Sequence, residues 1–94
     1  MVQRASRRTG FTDLELLREM AEISLEIRRH IHEEEIQGGL CDYREYEGWI
    51  WSFVAKGNIL DAAKDTIVGK ASMDPEDREE IMEIYVRPHF EEAA

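Results

Sequence analysis

An all-α fold, a small bundle of four helices, is predicted by three features of this chain. Apolar residues recur at helical spacing through its first half. Glycine, asparagine and Asp-Pro signals divide the remainder into pieces of helix length. No segment alternates with period two over enough residues to make a strand.

The first helix is expected over residues 13–36. Thr12 followed by Glu15 forms a capping-box pattern, and Leu14, Leu17, Ala21, Ser24, Ile27 and Ile31 then recur on one face, with Met20 and Ile23 beside them. Gln37-Gly38-Gly39 supplies the left-handed glycine stop. Asp42, with Glu45 three residues on, caps a second helix over 42–56 that Gly57 closes. Asn58 opens a short third helix over 59–68, stopped by Gly69. Asp74-Pro75 starts the fourth over 75–87, because proline at the first helical position gives up only an amide that had no partner. Pro88 biases Arg87 away from helical angles and predicts a bend before Phe90.

At 94 residues the chain is one domain, near the size where a single core gives marginal stability. Its 21 acidic and 12 basic residues leave a net charge of -9, which argues against nucleic acid and anionic membranes as partners. Three of the basic residues, Arg4, Arg7 and Arg8, lie in the first ten. Residues 1–11 therefore read as a disordered basic tail or linker ahead of a helical domain over 12–94. No apolar run approaches the roughly 20 residues that span a bilayer, and the start lacks the apolar stretch of a secretory signal. The single cysteine, Cys41, excludes an internal disulfide and a Cys-based zinc site. It suits a reducing cytoplasm and reads as a small apolar residue rather than a nucleophile.

The second helix is apolar nearly all round. Tyr43, Tyr46, Ile50, Phe53 and Val54 form a stripe assigned to the core. Trp49 and Trp51 point in different directions, so at least one is a candidate for docking onto another surface. Arg44 stands in the first turn of the same helix, where the positive end of the macrodipole disfavours a cation by roughly 0.3–1 kcal/mol. Such a position suits an arginine balanced by Asp42 or Glu45, or one that faces an anionic partner.

Other constellations carry less. Glu26, His30 and Glu33 share one face of the first helix, as carboxylate and imidazole ligands do in bundle metal sites, but that face lies opposite the leucines and reads as solvated. No bound metal is expected. His32 and His89 are isolated in sequence. Val68-Gly69-Lys70-Ala71-Ser72 lacks both the first glycine and the adjacent Ser or Thr of a phosphate loop. The acidic runs Glu33-Glu34-Glu35 and Glu79-Glu80 read as solubilising faces.

From Asp13 to Phe90 the order of features resembles the C-terminal helical lid of MoxR-type AAA+ ATPases, including the CobS and CbbQ/NorQ branches. The resemblance rests on a long first helix ending near a glycine and on Asp42-Tyr43-Arg44 opening the apolar Trp49-Ile50-Trp51-Ser52-Phe53 helix. It continues through the Ala-rich Asp61-Ala62-Ala63-Lys64-Asp65-Thr66-Ile67 and the turn Asp74-Pro75-Glu76-Asp77-Arg78. It lies in order and spacing more than in identity. It implies that Arg44 is the sensor-2 residue reaching the terminal phosphates of ATP, that Trp49 or Trp51 packs on the neighbouring ring subunit, and that the partners are that subunit and an AAA+ core domain. ATP and magnesium would then belong to a full-length parent. The chain alone has no phosphate loop and no acidic metal-binding strand, so it is expected to be inactive. Asp42 stands where the family has Ser or Thr, which preserves the cap and places an acid near the phosphate site. The competing reading is a small acidic adaptor that binds a protein through its Trp/Tyr-rich helix; a metal-binding half bundle ranks below both.

Overall fold

The computed structural model describes residues 1–90; the end of the helical domain expected over 12–94 lies outside them. Its elements are α1 (Val2–Thr9), α2 (Leu14–Glu33), α3 (Tyr43–Lys56), α4 (Ile59–Asp65), α5 (Pro75–Ile81), a π-helical stretch (Met82–Val86) and α6 (Arg87–Phe90). The described residues contain helices and no strand, so the all-α expectation holds. The count of four helices does not, and the difference falls at the two ends.

At the front, the segment read as a tail or linker is α1. Ala5 is its only fully buried residue, and a methyl-sized side chain there lets the helix lie close to its neighbours. A local web stops the helix: Gly10 takes φ 79° and donates its N–H to the Ser6 carbonyl, the Thr9 hydroxyl donates to the Ala5 carbonyl at 2.7 Å, and the Ser6 hydroxyl donates to the Phe11 carbonyl at 2.7 Å. Phe11 then sets its ring edge-on to Phe53 of α3, at 5.8 Å between centroids.

At the back, Pro88 does not end the helix. The Arg87 N–H reaches back five residues to the Met82 carbonyl, and this widened turn immediately precedes the proline. A π turn shifts the carbonyls that a proline ring would otherwise strike, and Pro88 lacks the amide the ladder would have needed. The chain runs on to Phe90, whose ring meets Trp49 edge-on at 6.1 Å.

Between these ends the N-caps fall close to their expected places, but α4 stops at Asp65 with Thr66 as its C-cap, short of the 59–68 span expected to end at Gly69. Asp13, one residue beyond Thr12, caps α2 by accepting the Leu16 N–H at 3.1 Å. The Asp42–Glu45 capping box opens α3, with the Asp42 N–H donating to Glu45 Oε1 at 2.9 Å. Asn58 caps α4 through the Leu60 and Asp61 amides, and Asp74 caps α5 with Pro75 behind it. α2 stops three residues short of Ile36. Glu35 takes the left-handed turn that ends it, at φ 51°, ahead of the left-handed Gly38 at φ 72°, and the Ile36 N–H returns to the Ile31 carbonyl at 3.0 Å.

α3 is the central element, in contact with α1, α2 and α4. Two buried aromatic residues pin it through their polar atoms. The Tyr46 hydroxyl donates to the Leu17 carbonyl of α2 at 3.0 Å, and the Trp49 indole donates to the Ile59 carbonyl at the start of α4, also at 3.0 Å. The core face of α3 is thus Tyr46, Trp49 and Ile50. Val54, assigned to that stripe from the sequence, is 52 % exposed, and Tyr43 and Phe53 sit at the margin. Trp49 takes the central place because its larger surface is worth more when removed from water than a valine's.

Candidate functional site: the groove between the first and third helices

The first two turns of α3 and the facing side of α1 enclose an open groove of about 780 Å³. It is lined by Arg4, Arg8, Leu40, Asp42, Tyr43, Arg44, Glu45, Glu47, Gly48 and Trp51. Helical spacing builds its walls. Arg4 and Arg8 stand one turn apart on α1, Tyr43 and Glu47 one turn apart on α3, and they meet as two rungs. In the first rung the Arg4 guanidinium lies 4.6 Å above the Tyr43 ring. In the second Arg8 Nε donates to Glu47 Oε2 at 2.8 Å.

The acids of the groove are each engaged. Arg8 holds the Glu47 carboxyl below its usual range, with smaller help from Tyr43 and Trp51. Glu45 is buried in the capping box. Asp42 sits 3.6 Å from Arg28 Nε on α2. Arg44 is exposed on the lip of the groove, and no hydrogen bond or ion pair to the described residues engages its guanidinium.

The two tryptophans separate. Trp51 lines the groove beside Arg44 and is 49 % exposed. Trp49 is 0 % exposed, so it is a core residue and offers no surface to a partner. The sequence thus places two of its three candidate residues, Arg44 and Trp51, in one groove. It does not reveal Arg4 and Arg8: their four-residue spacing meets that of Tyr43 and Glu47 only once α1 packs against α3.

His30 Nδ1 lies 3.0 Å from the Tyr85 hydroxyl, and the two rings meet edge-on. Among the described residues no group of three His, Cys, Asp or Glu side chains is placed to hold a metal, so Glu26, His30 and Glu33 form no such centre. No helix among them is long and apolar enough to cross a membrane.

Cys41 is buried and donates its thiol to the Ser24 carbonyl at 3.3 Å. Burial, then Glu45 and Asp42, push that thiol up to about 12, with Arg28 opposing. A thiol held protonated is a poor nucleophile. Above pH 9 the unfolded chain releases this proton while the folded chain keeps it, so stability falls as pH rises towards about 12. Between pH 8 and 10 the chain is expected to lose about 1.5 kcal/mol more than its Cys41→Ala variant in urea titrations. Equal losses in the two would contradict the buried, protonated thiol.

Comparison with known proteins gives no match to a family model, a curated protein or a solved structure.

Proposed function

We propose that this chain is the helical lid of a MoxR-type AAA+ ATPase. In this reading it docks its α1–α3 face on a nucleotide-binding core domain and points Arg44 at the phosphates of the bound ATP. The single observation that carries the reading is the state of Arg44. Its guanidinium is exposed and uncommitted in the first turn of α3, at the edge of a groove, in a domain whose neighbouring acids are already engaged. A fixed planar fork with a permanent charge suits phosphate oxygens. Leu40, exposed beside it, supplies the apolar contact that a docking interface uses, with Trp51 at the edge of the same groove. The lid contributes nucleotide sensing and ring assembly and has no turnover of its own; magnesium and the metal-binding acids belong to the core.

A second reading, a small acidic adaptor protein, is favoured by the same exposed Trp51, which anchors a protein partner equally well without any nucleotide. The two separate in one experiment. A photo-crosslinking amino acid placed at position 51 in the source cells is expected to attach to a domain carrying Walker motifs, identified by mass spectrometry. Attachment to a protein without such motifs would establish the adaptor and remove the lid.

A further inference from the structure

The groove beside Arg44 has a second cation that neither the order of motifs nor the lid reading provides for. We infer that Arg4 on α1 is a phosphate-contacting residue. The α1–α3 groove then takes a nucleoside polyphosphate between Arg4 and Arg44, with Trp51 as the face for its base. The inference rests on the reading of Arg44 as a phosphate contact and adds to it a residue from a different helix.

Three observations converge on Arg4. Its guanidinium lies over the Tyr43 ring, 4.6 Å from the centroid. The ring holds one side of the cation without pairing its charge with a carboxylate, so the N–H donors directed away from the ring remain for oxygens. Second, each carboxylate lining the groove already has a partner: Glu47 accepts from Arg8 at 2.8 Å, Glu45 accepts the Asp42 N–H at 2.9 Å, and Asp42 lies 3.6 Å from Arg28 Nε. Third, Arg44 is exposed on the facing wall of the same groove, adjacent in sequence to the platform. Two guanidiniums without carboxylate partners thus flank one cavity in a chain of net charge -9.

The lining selects among anions. Its volume, about 780 Å³, falls within the roughly 300–1,000 Å³ of small-molecule sites. An acidic helix laid in a groove needs a row of apolar pockets at i, i+3, i+4 and i+7. Here Leu40 and Trp51 are the only strongly apolar side chains among ten lining residues. A polyphosphate carrying an aromatic base matches two arginine forks and one half-exposed indole.

The test uses the intact chain, with ATP, inorganic tripolyphosphate and tetraglutamate as probes, followed by NMR of the arginine Nε–H and indole N–H signals at about physiological salt. ATP and tripolyphosphate are expected to shift Arg4 and Arg44 saturably. Arg4→Gln and Arg44→Gln should each weaken both by about tenfold. Trp51→Ala should weaken ATP by about fivefold or more and leave tripolyphosphate unchanged. Arg7→Gln, outside the groove, serves as the control for net charge and should change neither. If Arg44→Gln weakens binding and Arg4→Gln does not, the inference fails while the lid reading survives. Shifts that never saturate, or tetraglutamate binding as tightly as tripolyphosphate, overturn the inference too, and the crosslink at position 51 then decides the lid reading separately. A Trp51→Ala variant that binds both phosphates like the parent removes the base-stacking part.

Discussion

Trp49→Ala is expected to destabilise the domain by about 3–5 kcal/mol, whereas Trp51→Ala, two residues along the same helix, should cost less than about 1 kcal/mol. Trp49 is wholly enclosed, touches Phe90 edge-on and donates its indole N–H to the Ile59 carbonyl. Its removal opens a cavity, leaves that carbonyl without its partner and loosens both α4 and the C-terminal turn. Trp51 has half its surface in water and bears on no comparable set of partners. Urea unfolding of the two variants measures the difference directly. Equal large losses would mean that Trp51 is also part of the core, and the groove would lose its apolar contact.

Gly39→Ala should cost about 1–3 kcal/mol, from overpacking rather than from a cavity. A Cβ at Gly39 would stand 2.3 Å from the Ala71 carbonyl oxygen, with Ile31 and Ile36 methyls at 3.1 and 3.2 Å. The oxygen belongs to a backbone that cannot slide away, because the adjoining Leu40 N–H is bonded to the Lys70 carbonyl at 2.8 Å. Only a residue without a side chain lets the α2–α3 loop cross the segment after α4 at that distance. Gly48→Ala is the control of opposite sign. Gly48 is inside α3, and its Cβ would meet only Thr66 Cγ2 at 3.8 Å, so about 0.5–1 kcal/mol of stabilisation is expected from the lost glycine entropy. Thermal unfolding in which both glycine variants move the same way would contradict this account of the crossing.

Much of the architecture was legible because it is written in local chemistry. Asp42 with Glu45, Asn58, and Asp74 with Pro75 each satisfy helix amides from within three residues, so their signal survives without tertiary information. The failures lie where a neighbour decides. α1 carries three arginines and few apolar residues; its place against the domain depends on Ala5, Tyr43 and Glu47, which no local pattern connects. Val54 and Trp49 exchanged roles because both are compatible with a helix apolar nearly all round, and only the packing of α4 and Phe90 selects the face. The early end of α2 rests on Glu35 adopting a conformation that propensity assigns to the glycines that follow. For the site, the first turn of α3 drew attention to Arg44 by its charge at the wrong end of a helix dipole. Arg4 required the fold, since it reaches the groove only once α1 is laid against α3.

The central claim, that Arg44 serves a phosphate supplied by another domain and does not serve its own fold, is tested most directly by Arg44→Ala. The two readouts are the melting temperature of this chain and the ATP turnover of the ATPase that the crosslink at position 51 identifies. The melting temperature is expected to stay nearly unchanged, as for an exposed side chain without internal partners. Turnover is expected to fall by about 10- to 100-fold, the worth of a charge-assisted contact to phosphate. Unchanged turnover, or a fold that collapses on the substitution, would show that Arg44 does not serve a phosphate.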